Sequence, residues 1–248
     1  MKSRQSGFTL VEIAIVLVII GLLLGGVLKG QELINSAKVK NLATDFRNIP
    51  LFIYGYQDKY KALPGDHATV ATAITGATLA TTPTTSGGNA CVSNLCQGNG
   101  VIDGVWNTTT VTDETALFWQ HARLAGLAAG PTATSDVNYF PTNADGGRIG
   151  IESGAAATGG AYIQNGTANA ATGVVTALAP ATYFSPTYLV CSSGILGKYA
   201  KQLDTTLDDG ETSTGSIRVV TATHVRGAVG LGTAGVNDSG SYIVCMGL

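Results

Sequence analysis

The sequence predicts an α+β fold, in which a long N-terminal helix packs against a globular head with a small antiparallel sheet and short helices. An apolar run over residues 8–28 is followed by apolar residues at helical spacing. Short segments rich in β-branched and aromatic residues are concentrated in the second half of the chain, as expected for strands. We therefore divide the chain into a polar start (1–7), a membrane helix (8–28), an amphipathic stalk helix (29–60) and a head (61–248).

The apolar segment from Phe8 to Leu28 is long enough to cross a bilayer, since its residues span roughly 30 Å as a helix. Glu12 is its single charge. An isolated carboxylate in hydrocarbon costs at least a few kcal/mol, so we expect a functional role and a partner for it. Cleavage between Gly7 and Phe8 would create a cationic amine on Phe8, which Glu12 of a neighbouring subunit would neutralise. A secretory signal has a shorter apolar region, and a plain anchor does not explain the acid.

The residues from Gly7 to Glu12, with sequence GFTLVE, resemble the class III signal of type IV pilins and type II secretion pseudopilins. The resemblance implies that a membrane peptidase cuts after Gly7 and methylates Phe8, so that residues 1–7 are a cleaved leader. It also implies that Glu12 aligns each incoming subunit during assembly. The alternative is an unprocessed single-span anchor.

This resemblance implies a structural subunit of a filament rather than an enzyme. The expected partners are further copies of the chain or other pilins, a prepilin peptidase and an inner-membrane assembly platform. The precursor would lie in the inner membrane with its head in the periplasm, and the mature subunit in a surface pilus or a periplasmic pseudopilus. Two alternatives remain open: a type II secretion pseudopilin, and a minor pilin with an adhesive or DNA-uptake role.

The four cysteines favour an exported head, because disulfides persist in oxidising compartments. Among three possible connectivities we favour Cys91 with Cys96 and Cys191 with Cys245. A zinc site would require paired Cys-x-x-Cys motifs or nearby histidines, which the sequence lacks. Only 12% of the 248 residues are charged, and acidic residues outnumber basic ones, so nothing indicates a general nucleic-acid surface.

The stalk helix carries an apolar stripe that we expect to pack against the head. Its members recur every three to five positions and are Leu33, Ala37, Leu42, Phe46 and Ile49. Pro50 follows the stripe, and a proline removes a hydrogen bond and clashes with the preceding turn. The sequence therefore predicts a kink or short break near Pro50.

The head contains three predicted helices and four predicted strands. Asp66 is expected to cap a short helix ending at Ile74, and Thr112 or Asp113 a second one that ends at Gly126 or Gly130. A third helix is predicted from Leu196 to Leu207, and residues 153–180 form either a loop or weakly marked strands. The predicted strands are 147–151, 188–191, 217–221 and 242–245.

A cluster of four carboxylates is the principal candidate for metal binding. Its members are Asp204, Asp208, Asp209 and Glu211, which supply the hard oxygen ligands that calcium takes. Their spacing does not match an EF-hand, and a solvated helix end is the alternative. Some pilins and pseudopilins hold calcium in a loop near the C-terminus, so the resemblance implies a possible calcium site here and no other cofactor. Asn99 and Asp103 form a second, weaker candidate pair.

No catalytic constellation is evident in the sequence. The three histidines, His67, His121 and His224, lie in unrelated surroundings. No nucleophile elbow, phosphate-binding loop or metalloprotease motif occurs. We therefore predict that the protein is not an enzyme.

Overall fold

A computed structural model describes residues 10–81, 97–154 and 161–248. It confirms the α+β fold. The first element, α1, is a helix of 51 residues from Leu10 to Tyr60. It is followed by the short helix α2 (Val70–Ala73), by α3 (Glu114–Leu124) and by α4 (Gly197–Leu207).

The part of α1 that packs against the head begins later than the sequence pattern indicates. Leu33 is 62% exposed and Ala37 is also exposed, so the predicted stripe does not extend to these residues. They instead continue the exposed apolar surface of the preceding segment. The buried face of α1 consists of Val39, Leu42, Ala43, Phe46, Ile49, Ile53 and Tyr56.

The short break expected at Pro50 is absent, because α1 is continuous through this residue. A proline inside a helix costs about 3 kcal/mol, so the neighbouring turns must be held by other contacts. Ile49 and Ile53, on either side of Pro50, are both buried in the main core. Tertiary packing therefore outweighs the local cost of the proline.

The four predicted strands form one antiparallel sheet, in the order β1 (Ile149–Ser153), β6 (Tyr188–Leu196), β9 (Ser241–Gly247) and β7 (Ile217–Thr221). The side chains of this sheet that face α1 and α4 form the main core with the buried residues of both helices. In chain order the strands are β1 (Ile149–Ser153), β2 (Ile163–Gln164), β3 (Gly166–Ala168), β4 (Val175–Ala177), β5 (Tyr183–Phe184), β6 (Tyr188–Leu196), β7 (Ile217–Thr221), β8 (Ala228–Val229) and β9 (Ser241–Gly247).

Two smaller sheets occupy the region that the sequence marked weakly. The hairpin β3-β4 is antiparallel, whereas β2 pairs with β5 antiparallel and with β8 parallel. These strands have two or three residues each. Their alanine, glycine and threonine content explains why a sequence pattern did not distinguish them from a loop.

The C-terminal end of α3 is fixed by the expected glycine. Gly126 has φ +79°, a conformation that side chains with a Cβ rarely adopt. The Gly126 N–H donates to the Arg123 carbonyl and the Leu127 N–H to the Ala122 carbonyl, both at 2.9 Å. This is a Schellman motif, which satisfies carbonyls that have no partner within the helix.

The predicted disulfide between Cys191 and Cys245 is confirmed. The two cysteines lie directly opposite each other in β6 and β9, with an S–S distance of 2.07 Å. Both are fully buried and pack in a second core with Trp106 and Tyr162. Cys91 and Cys96 lie outside the described residues, so their pairing stays a prediction.

Candidate functional site

The first candidate site is the apolar half of α1. Every large apolar side chain from Leu10 to Leu28 is between 46% and 86% exposed. No described part of the head covers this segment, and its length and composition suffice to cross a membrane. Such a surface is stable only in lipid or against other apolar helices.

Glu12 lies in the first turn of α1 and its side chain is exposed. Gly7 and Phe8 lie outside the described residues, so the cleavage and methylation sites remain predictions. Of the predicted residues Gly7, Phe8 and Glu12, the structure therefore describes Glu12 alone.

The head is attached to α1 through polar contacts as well as through the core. The Lys38 ammonium lies 2.7 Å from an Asp145 oxygen, and the hydrogen bond and charge of Asp145 raise the pKa of Lys38. The Tyr199 hydroxyl, on α4, donates to the Asn35 Oδ1 at 2.8 Å. The Tyr199 hydrogen bond holds α4 beside the part of α1 that follows the apolar segment, and the Lys38–Asp145 pair holds the loop that precedes β1 against the same part of α1.

The second candidate site is the acidic loop, which we define as residues 204–211 at the end of α4. Asp204, Asp208 and Asp209 each bring one oxygen within 4.8 Å of the others. Asp204 is fully buried, and neither of its carboxylate oxygens accepts a hydrogen bond of normal geometry from the described residues. Burial, followed by the charges of Asp209 and Asp208, raises the pKa of Asp204 to about 7, although the Gly210 N–H opposes this shift.

Glu211 lies outside the group of three carboxylates. Its Oε1 accepts hydrogen bonds from the Ser213 hydroxyl and from the Thr233 N–H, both at 3.0 Å. Asp208 and Asp209 also organise the loop, because they accept the Ile217 N–H at 2.8 Å and the Glu211 N–H at 2.9 Å. Asp204 is thus the member of this site that the protein itself does not satisfy.

The residues of the acidic loop fit calcium. Three carboxylates held close together repel one another unless a proton or a cation lies between them. Calcium takes six to eight oxygen ligands, whereas zinc in structural sites takes mainly sulfur and nitrogen. The two unsatisfied oxygens of Asp204, together with Asp208 and Asp209, supply the oxygen chemistry that calcium requires.

The weaker candidate pair, Asn99 and Asp103, is occupied by internal hydrogen bonds. The Asn99 side-chain amide donates to the Asp103 Oδ2 at 2.9 Å. Asp66 lies beside this pair and accepts the N–H groups of Asn99 at 3.1 Å and Gly100 at 2.7 Å, and also that of Gly98. Asp66 therefore anchors this loop and does not cap α2, whose N-cap is Thr69 without a side-chain hydrogen bond.

Two of the three histidines share one buried cluster, contrary to the expectation of unrelated surroundings. The Tyr56 ring lies 5.8 Å from the His67 ring and 6.3 Å from the His121 ring. The His121 Nδ1 accepts the Gly65 N–H and its Nε2 lies 2.9 Å from the Thr78 carbonyl, which fixes a neutral imidazole. Burial lowers the pKa of His121 to about 4. Both ring nitrogens of His121 are therefore occupied by hydrogen bonds to backbone groups.

Comparison with known proteins identifies the N-terminal segment. Residues 2–28 match the family model described as the prokaryotic N-terminal methylation motif. This motif is the class III signal of type IV pilins and pseudopilins. No curated protein and no solved structure matches the chain. The motif, the exposed apolar helix and the head disulfide together support a type IV pilin-like or pseudopilin-like protein.

Proposed function

We propose that this chain is the structural subunit of a type IV pilus-like filament, assembled from the inner membrane after cleavage of the leader. The observation that carries the proposal is the methylation motif at residues 2–28, placed on a helix whose apolar half the described head leaves uncovered. The proposed partners are further copies of this chain or other pilins, a prepilin peptidase and an inner-membrane assembly platform.

Assembly in this proposal depends on a charge pair formed between subunits. Cleavage after Gly7 frees the Phe8 amine, which remains cationic after methylation. Glu12 of a neighbouring subunit then neutralises this amine in a low-dielectric environment, where the attraction between opposite charges is stronger than in water. A subunit placed out of register would leave a buried charge unpaired, which costs several kcal/mol.

The apolar half of α1 provides the surface for polymerisation. In the membrane its side chains contact lipid tails, and in the filament they contact the same segment of other subunits. Lipid and leucine are about equally apolar, so close packing between helices must favour the filament. The head stays outside the bilayer in the periplasm, and the assembled filament places it at the cell surface.

The test of this function is Glu12→Ala, with Glu32→Ala as the matched control. Glu32 lies on the same helix and is 68% exposed beside Lys29. We expect Glu12→Ala to be cleaved normally, as mass spectrometry of the mature N-terminus would show, and to be absent from sheared filaments. The control should enter filaments. A normal filament yield from Glu12→Ala would refute the proposed assembly role.

The cleavage site is tested separately. Because the peptidase must accommodate a small residue before the cut, Gly7→Ala should be processed while Gly7→Leu should accumulate as precursor. The measurement is the mobility of the band on a gel, together with the N-terminal mass. Normal processing of Gly7→Leu would contradict the assignment of the cleavage site.

The two alternative functions, pseudopilin and minor pilin, differ from the proposed one in the location of the filament or in what the subunit binds. A pseudopilin would form a short periplasmic structure, so long surface fibres composed of this chain would argue against it. An adhesive or DNA-uptake minor pilin would be found at low abundance. DNA binding by the chain would have to weaken steeply with salt, since contacts to phosphate dominate such complexes.

We also propose that the acidic loop binds calcium through Asp204, Asp208 and Asp209. A cation there would neutralise the buried Asp204 and join the end of α4 to the turn that leads into β7. The support for this is the pair of buried Asp204 oxygens, neither of which accepts a hydrogen bond of normal geometry within the described structure. Calcium would thereby stabilise the head for assembly.

A further inference from the structure

A small cavity of about 130 Å³ lies between α1, α3 and the loop that precedes β1, and it opens to solvent. Its walls include Asp45, Asn48 and Phe52 from α1, Trp119 from α3 and Thr142 from the loop. At about 30 Å³ for each water, the volume corresponds to about four water molecules. This space is enough for a planar guanidinium group.

Asp45 is a half-buried carboxylate without a counter-ion. In the part of the chain that the structure describes, Asp45 makes no hydrogen bond and no ion pair. Burial raises the pKa of Asp45, and no cation of the chain opposes this shift. A carboxylate in such a position is stabilised by a cation supplied from outside the chain.

Arg123 also lines the cavity but does not neutralise Asp45. Its guanidinium donates to the carbonyls of Ala129 at 3.1 Å and Tyr139 at 2.6 Å, and the opposite charge near it is that of Asp136. The hydrogen bonds of Arg123 are thus directed to the loop after α3. The acceptor that remains available in the cavity is the Asp45 carboxylate.

Arg47 is an exposed cation on the opposite flank of α1. Among the described residues it has no hydrogen bond and no ion pair. An α-helix turns by about 100° for each residue. Phe46 is buried in the main core, so Asp45 and Arg47 project to either side of it. The two unpaired charges therefore have opposite signs and lie on opposite flanks of the helix.

Anchoring in the membrane brings these two flanks to the same height in neighbouring copies. The apolar segment ends at Leu28 in every copy, so copies inserted in the same direction are aligned along the membrane normal. Asp45 lies roughly 26 Å beyond Leu28 at the helical rise, outside a headgroup layer of about 5–8 Å. Arg47 is only about 3 Å further along the axis, within the reach of an arginine side chain.

We propose that this cavity receives the Arg47 guanidinium of a second copy of the chain while both copies are anchored in the membrane. Asp45 would be the counter-ion, and the rings of Phe52 and Trp119 would provide aromatic surface for the planar group. The contact joins different patches of the two copies, so it can repeat from copy to copy. It requires the membrane anchor but not the Glu12 pair, so a failure of filament assembly would not affect it.

The test is zero-length crosslinking of the full chain in phosphatidylcholine vesicles. A carbodiimide joins a carboxylate to an amine, and Arg47→Lys supplies the amine while it keeps the charge. Unlabelled and heavy-isotope-labelled copies are reconstituted together, so a crosslinked peptide with one labelled half must come from two copies. We expect such a mixed crosslink between position 45 and position 47. Its absence would overturn the proposal.

Two controls separate the cavity contact from random collision of anchored copies. Asp45→Asn combined with Arg47→Lys should lose the crosslink. Tyr54→Lys, with Arg47 retained, places an amine on the same flank roughly 10 Å further from the membrane, and its crosslink to Asp45 should be about tenfold weaker. An equal yield from Tyr54→Lys, or preferred crosslinking of Asp45 to the native Lys40 in the Arg47→Lys chain, would overturn Arg47 as the occupant.

A second measurement uses the monomeric chain at high dilution in detergent. Because Asp45 has no partner within its own chain, Asp45→Asn should raise the urea midpoint of the monomer at pH 7 while it abolishes the contact between copies. A lower midpoint would show that Asp45 serves its own head and would overturn the proposal.

Discussion

Glu114 should control how the stability of the head changes between pH 7 and 9. It lies in the first turn of α3 and is 1% exposed. Its Oε2 accepts the Asp103 N–H at 2.8 Å. Burial raises the pKa of Glu114 to about 9, and the negative charges of Asp66 and Asp103 add to this effect. The folded protein therefore keeps a proton on Glu114 that the unfolded chain releases.

The sign and size of the effect follow from linkage between protonation and folding. Between the unfolded pKa near 4.5 and the folded pKa of about 9, the folded state binds one more proton than the unfolded state. The free energy of unfolding then falls by about 1.4 kcal/mol for each pH unit. From pH 7 to pH 9 the expected loss is about 2–3 kcal/mol, because titration is half complete at the upper limit.

The assay is urea denaturation of the full chain in detergent, followed by fluorescence of the buried Trp106 and Trp119. Glu114→Gln replaces the neutral acid with an amide of the same shape and should remove most of the difference between pH 7 and pH 9. Glu32→Gln, on the exposed part of α1, should behave as wild type. Equal losses of stability in Glu114→Gln and wild type would refute the assignment of this proton to Glu114.

Three further predictions concern packing, calcium and the disulfide. Phe46→Ala should lower the free energy of unfolding by about 3–5 kcal/mol, since Phe46 is 1% exposed in the main core, whereas exposed Thr44→Ala should change it by less than about 0.5 kcal/mol. A loss below about 1 kcal/mol in denaturation of Phe46→Ala would contradict this packing. Calcium at about 100 times its Kd should raise the Tm by about 5–11 °C, and Asp204→Asn should abolish the rise; a rise retained in the variant would exclude Asp204 as a ligand. Replacing Cys191 and Cys245 together by alanine should cost about 4 kcal/mol for a closed loop of 54 residues, and a reductant should destabilise wild type more than the variant, which retains Cys91 and Cys96.

The sheet and the longer helices were predictable because local pattern and tertiary environment agree there. Residues 217–221 were predicted as a strand with the bounds that β7 has, and the helix predicted from Leu196 begins at Gly197. In such segments one face is buried, and apolar residues therefore recur in the sequence with the period of the helix or strand. The Cys191–Cys245 pairing was also predicted, and both cysteines lie in predicted strands.

The remaining errors arise where contacts distant in sequence decide the outcome. Aspartate is a common residue at helix N-caps, but the carboxylate of Asp66 accepts the N–H groups of residues 98–100 instead of capping α2. His67 and His121 are separated by 54 positions along the chain and meet only because α3 packs beside the end of α1. Glu211 is near the other carboxylates in sequence but is turned towards Thr233. The spacing of residues within one segment does not predict such contacts between distant parts of the chain.

The crosslink between β6 and β9 has a mechanical consequence for a subunit under tension. A filament that bears load transmits force through α1 into the head, and a strand of the head that detached would lengthen the subunit. The Cys191–Cys245 bond closes a loop across 54 positions and shields that length from extension. At about 3.5 Å for each residue, roughly 190 Å of chain is unavailable for stretching. Reduction of this one bond would therefore make the segment between Cys191 and Cys245 available for extension.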